Sequence, residues 1–237
     1  MVVSLVHSYI IAYFCKIIKI NTLKISKKYI VLSVLFIVPL LFYIFLSMGM
    51  NNFAKLPVLT KNIVDVSTID ANSKLENNIS IVLFPGKQVD IIKGEIFNLN
   101  QKIYKPFYGF KDFQMIVICP KGTEEEIDKI KKAIGNYTDM VKWNFIFAED
   151  EVVKAFYDSF QTNQSLDGNL HTSKAFIIDK ELNLRGRTDD KDMADGKLFG
   201  YNMASVGELN DKMKDDVKVV LAEYRLALKK NSADRKK

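Results

Sequence analysis

Cysteine is nearly absent. The 237-residue chain holds two, Cys15 and Cys119, beside two histidines and one tryptophan. So few thiols make no disulfide framework, and any folded domain here depends on an ordinary apolar core. No Cys/His spacing supplies the three or four ligands of a zinc site. The pattern Gly-x-x-x-x-Gly-Lys-Ser/Thr does not occur, so Lys87 beside Gly86 is not part of a phosphate loop. Repeats and low-complexity segments are missing as well. Acidic residues are wholly absent before Asn51.

Against these absences stands one long apolar run. Tyr29–Met50 holds 22 residues and no charge. At ~1.5 Å per residue it is long enough for the ~30 Å hydrocarbon core of a bilayer. Pro39 inside it is tolerated in lipid. No clean small-x-small cleavage pattern follows, so the run reads as a retained signal anchor. Lys16, Lys19, Lys24, Lys27 and Lys28 precede it, and the positive-inside rule puts the N-terminus in the cytoplasm and residues 51–237 on the far side. Cys15 and Cys119 then lie in different compartments and cannot pair. Val2–Phe14 is apolar but too short to cross. An interfacial helix and a start codon assigned too far upstream are both open readings of it, and His7 and Cys15 receive no role.

The anchor also accounts for the charge. Five of the 34 basic residues precede or open it, so the exported part carries 29 basic residues against all 28 acidic ones, about +1. The overall net charge of +6 comes from topogenic lysines and gives no support for a nucleic-acid partner. The chain divides into a basic segment 1–28, the anchor 29–50, a tether and entry segment 51–76, a domain 77–230 and a basic tail 231–237.

Within the domain, Ile79–Phe84 is a continuous apolar run, the pattern of a strand buried on both faces. Pro85-Gly86 ends it. Ile92, Ile96, Leu99 and Ile103 follow at helical spacing, with Lys93, Glu95, Asn98 and Lys102 largely opposite. Gln114–Cys119 is a second buried strand. Thr123 followed by Glu126 has the capping-box spacing and predicts a helix to about Ile134. Trp143–Phe147 is a third strand, and Glu151–Phe160 a helix burying Val152, Val153, Phe156 and Phe160. Ala175–Asp179 and Leu182–Arg185 form a hairpin. A closing helix from about Val206 to Lys229 carries an apolar face of Met213, Val217, Val220, Leu221, Tyr224 and Leu228. Alternating strands and helices, then a hairpin and a last helix, are the element order of a thioredoxin-like α/β domain: a mixed central sheet flanked by helices.

Two residue groups invite chemistry on their own. Cys119 ends a strand shortly before a helix N-terminus, which favours a thiolate if the sulfur is accessible; it is the candidate reactive thiol of a one-cysteine redoxin, although a free cysteine at a strand end is more often buried and inert. Asp189, Asp190, Asp192 and Asp195 cluster with Gly196, but Ala194 breaks the alternation a calcium loop needs, so a solvated loop is expected.

In order along the chain, the anchor, ISIVLF, IVICPKGTEEE, WNFIFAEDE and HTSKAFIIDKELNLRGR resemble the Sco/SenC family, membrane-anchored thioredoxin-fold proteins of copper delivery to cytochrome oxidase. The likeness covers roughly residues 57–229 and is most specific at 170–187. Thioredoxins and peroxiredoxins usually place a cis-proline before the corresponding strand, where this chain has Thr172-Ser173-Lys174. The resemblance implies that His171 stands at the family's copper-ligand position. It also implies a Cys-x-x-x-Cys just after the first strand, where this chain reads Phe84-Pro85-Gly86-Lys87-Gln88-Val89-Asp90. Copper(I) is held by soft thiolates, and dithiol exchange needs two of them. No cofactor is therefore expected, and copper binding is not supported by His171 alone. The expectation is a non-catalytic binding or assembly factor in a bacterial inner membrane. Its domain is periplasmic, near respiratory-oxidase biogenesis, and its partners are the membrane and another protein. The alternatives are the Cys119 reductase and a structural envelope protein using the closing helix.

Overall fold

The computed structural model describes residues 27–48, 55–89 and 92–234. Cys15, His7 and the rest of residues 1–26, and residues 235–237 of the basic tail, lie outside the described residues. The chain forms two units, with the division between residues 52 and 53.

The first unit contains helix α1, Lys27–Met48. Its apolar stretch Lys27–Phe45 is long enough to cross a membrane, and none of it is buried. Apolar side chains face outward all round, Tyr29, Phe36 and Phe45 among them. A helix that is apolar on every side has no polar face for water, so α1 fits a membrane anchor. Lys27 and Lys28, which precede the uncharged run, are already helical.

In the second unit, β2 (Ile79–Pro85) is the central strand, and all seven of its residues are buried. β3 (Phe113–Pro120) pairs with it in parallel, and β4 (Trp143–Ala148) pairs with β3 in parallel. On the other side β5 (His171–Ile178) runs antiparallel to β2. β6 (Leu184–Arg185) pairs with β5 and β1 (Val58–Thr60) with β6, both antiparallel. The order is β1-β6-β5-β2-β3-β4, with β7 (Tyr201–Asn202) paired to β5.

The crossovers are α2 (Lys93–Leu99, continued by a π-type stretch to Tyr104 and a turn to Phe107) and α3 (Glu124–Gly135). α4 (Asp150–Asp158) follows β4. The closing helix starts at Val206, passes through a π-type stretch Leu209–Met213 and continues as α5 (Lys214–Asp234). One apolar cluster packs α2, α3 and the closing helix on one sheet face; another packs α4 and the turn at 66–68 on the opposite face. A parallel βαβαβ half joined to an antiparallel hairpin half, with helices on both faces, is a thioredoxin-like fold.

Several local expectations change. Within the tether and entry segment, residues 55–76 already belong to the folded domain: Leu56, Ile63, Val66 and Leu75 are buried, and β1 lies at the sheet edge. β1 and β7, at three and two residues, are too short to leave a periodic signal. Thr123 caps nothing with its side chain, since its hydroxyl donates to Pro120 O at 2.8 Å instead. Val152 is exposed, and Tyr157 takes the buried place. Leu182 is in the hairpin turn with φ 59°, so the strand begins at Leu184.

The hairpin is held by Asp179, fully buried. Its Oδ1 accepts from the backbone N–H groups of Glu181 and Asn183, each at 2.9 Å, and its Oδ2 from Arg185 Nη1 at 2.8 Å. Arg185 also donates to Leu56 O at 2.8 Å and Glu223 Oε2 at 2.6 Å. One guanidinium thus ties β1's lead-in, the hairpin and α5 together. Burial opposes its charge, but the two carboxylates raise its affinity for the proton above the ordinary value.

Candidate functional site

β2 ends at Pro85, which pairs with His171 at the start of β5. The next residue, Gly86, has φ 71°, a backbone region where a Cβ is costly. A Cβ there would also stand 2.6 Å from both Asn169 O and His171 Cβ. Lys87 N–H donates to Asn169 O at 2.8 Å. Glycine at 86 is what lets the end of β2 lie directly against the 169–171 backbone.

That backbone is fixed from its own side. Asp167 Oδ1 accepts from the N–H groups of Asn169 and His171, both at 2.8 Å, and Asp167 N–H donates to His171 O at 3.0 Å. Leu170 turns the chain with φ 62°. Between the pairs Leu83–Ala175 and Phe84–Thr172 the β2–β5 register shifts, leaving Ser173 and Lys174 as a bulge. Bulges re-aim side chains beside sites. Here Ser173 Oγ donates to Glu95 Oε1 at 2.7 Å, and Ser173 O accepts from Met203 N–H at 2.8 Å.

Glu95, in the first turn of α2, is the centre of the site. Its Oε2 lies 3.4 Å from His171 Nε2, while His171 Nδ1 is 3.8 Å from Asp167 Oδ2. The imidazole therefore sits between two carboxylates, and its side chain is 19% exposed. Ser173 donates to Glu95 and not to His171, so no nucleophile–base relay forms. The donor set is one borderline imidazole and two hard carboxylates, without the soft thiolates that select copper(I). Among the described residues no group of three or more His, Cys, Asp or Glu is disposed to hold a metal ion.

Cys119 is not part of this arrangement. It is fully buried in the apolar cluster under α3, where its Sγ donates to Val117 O at 3.8 Å. Burial pushes its thiol well above the ordinary range. A reactive cysteine needs access and a lowered pKa, and Cys119 has neither; the one-cysteine reductase loses its nucleophile. The aspartate cluster is likewise occupied from within. Lys212 Nζ lies 2.8 Å from both carboxylate oxygens of Asp190 and 2.7 Å from Asp192 Oδ2. Although burial opposes it, this ammonium holds the Asp190 carboxyl below its usual value. A cation of the chain fills the place a calcium ion would take.

Sequence patterns brought out His171 and the Pro85–Asp90 turn but missed Glu95 and Asp167. Glu95 falls on the polar side of α2's periodicity. The signal that points to it is its first-turn place in the helix that follows the site.

No protein-family model matches the sequence, and comparison with curated proteins gives no match. Solved structures with similarity include a thioredoxin-family thiol:disulfide interchange protein from Chlorobium tepidum (16% identity, 71% of this chain and 99% of that one, TM-score 0.42). ScoI of Arabidopsis thaliana with copper bound is similar at 16% identity, over 61% and 86% of the two chains, TM-score 0.40. A SCO1/SenC family lipoprotein from Bacillus anthracis is similar at 16%, over 72% and 99%, TM-score 0.39. These are distant likenesses of fold and assign no activity.

Proposed function

We propose that this chain is a membrane-anchored, thioredoxin-like binding protein that performs no thiol chemistry. Its contact site is the Pro85–Gly86 turn with His171 and Glu95. One observation carries the proposal: the turn after the central strand, where a dithiol would act, has no cysteine, and the half-buried group facing it is His171 between Glu95 and Asp167. Such a group donates and accepts hydrogen bonds but supplies neither an electron pair for disulfide exchange nor a soft ligand for copper(I) cargo. Lys87 and Gln88 stand exposed beside it, so the turn is open to a partner. The Sco/SenC resemblance supplies the setting: a bacterial inner membrane, a cytoplasmic N-terminus, a periplasmic domain, and work near respiratory-oxidase assembly.

The test is a photo-crosslinking amino acid at Gln88 in intact membranes, with adducts identified by mass spectrometry. The expected result is a discrete adduct to an oxidase subunit or assembly factor, weakened by Glu95→Gln. Adducts that form only from a crosslinker at Lys218 on α5, to envelope components, would replace this reading with that of a structural envelope protein.

A further inference from the structure

All four exposed aromatic side chains of the domain's described residues lie in one region. Phe97, Tyr108, Phe110 and Tyr137 are exposed, and Val141 joins them; Tyr137 is 68% and Val141 78% accessible. Phe97 packs edge-on against Tyr137 with ring centroids 6.1 Å apart, and Tyr108 lies 5.8 Å from the buried ring of Tyr104. The two loops involved, 108–111 and 136–142, are stitched together. Lys142 Nζ donates to Phe110 O, and to Lys111 O at 3.3 Å, while Lys142 N–H donates to Tyr104 Oη at 3.3 Å. Asn100 Nδ2 donates to Thr138 Oγ1 at 3.0 Å. The exposed rings at 97, 108, 110 and 137 are therefore carried on segments bonded to one another.

The same region is basic. Residues 97–112 and 132–142 hold five lysines and two aspartates, a net +3, whereas residues 51–237 together carry only about +1, so the rest of that stretch is negative. Of the two aspartates, Asp112 is already paired with Lys180. Lys105 and Lys111 are exposed and have no carboxylate partner among the described residues.

We infer that this face docks on an anionic lipid surface. Exposed rings, three of them in turns, with the exposed Lys105 and Lys111 close by in sequence, match a bilayer interface, where aromatic side chains sit at headgroup level and basic residues meet anionic lipids. A lipid surface is also the partner that the chain itself brings through α1, so the inference rests on the anchored reading above.

The experiment uses the full chain in vesicles of phosphatidylcholine with phosphatidylglycerol, the acyl chains brominated to quench tryptophan on contact. Trp143, the chain's one tryptophan, is buried and gives the background. Phe110→Trp, and Tyr137→Trp as a second reporter in case the first disturbs folding, are expected to be quenched about twofold or more beyond that background. Adding Lys105→Glu and Lys111→Glu, or omitting phosphatidylglycerol, is expected to return the signal to background. Reporters quenched no more than Trp143 would overturn the inference. Reporters shielded from aqueous iodide in native membranes yet unquenched by lipid would assign the face to a protein and overturn it too. Resistance to alkaline carbonate reads the anchor separately: extraction with quenching intact removes the anchor and keeps the docking face.

Discussion

Glu95 Oε2 lies 3.4 Å from His171 Nε2, joining the first turn of α2 to the first residue of β5 across the turn that ends β2. Its other oxygen holds Ser173 at 2.7 Å. This carboxylate holds His171 and Ser173 together beside a turn that has no cysteine.

Glu95→Ala is expected to cost about 1–3 kcal/mol, because it leaves a half-buried hydroxyl and imidazole without their acceptor. Glu95→Gln is expected to cost less, since the amide oxygen still accepts from Ser173. Urea unfolding of the full chain in detergent measures both.

Gly86→Ala is expected to cost about 2–4 kcal/mol, within the range for backbone strain combined with a steric clash. The new Cβ meets Asn169 O and His171 Cβ at 2.6 Å, atoms that cannot swing away. The same unfolding assay checks it, and hydrogen exchange is expected to rise at residues 167–173.

Cys119 in a Cys15→Ser background is expected to resist maleimide in the native protein and to react at once on unfolding. Its burial also has a pH consequence. The folded thiol, and Tyr104, Tyr157, Tyr201 and Tyr224, are all raised chiefly by burial. Their contribution to stability is complete below the unfolded values, about 8.5 for cysteine and 10 for tyrosine, and is lost as pH climbs past them. Thermal midpoints are therefore expected to fall between about pH 9 and 11, with a shallower fall in Cys119→Ala.

Arg185→Met is expected to cost about 3–5 kcal/mol, because it strands the fully buried Asp179 without its cation. Asp179→Asn combined with Arg185→Met is expected to recover part of the loss, which a double-mutant cycle reads directly.

How much of this was legible depended on length and periodicity. Ile79–Phe84 and Gln114–Cys119 announced themselves because strands buried on both faces are continuous apolar runs, and Ile92–Ile103 because four residues keep helical spacing. β1 and β7 left no such pattern; their residues are strand only because a partner is alongside. Thr123 had the right spacing for a cap, yet Pro120 O lay closer to its hydroxyl. The site was half legible. His171 and the cysteine-free turn stood out in the sequence, whereas Glu95 and Asp167 are polar residues that only the β5 bulge and the Gly86 contact bring to them. Cys119 was open to two readings, reactive or buried and inert, because a strand end near a helix start says nothing about how much core covers the sulfur; the core covers it fully.

The central claim, a thioredoxin-like site that binds without thiol or copper chemistry, is tested most directly by competitive copper(I) titration of the full chain carrying Cys15→Ser. No binding tighter than about micromolar is expected, since one imidazole and two carboxylates offer no soft ligand. Stoichiometric, tighter binding that disappears in His171→Ala would contradict the account.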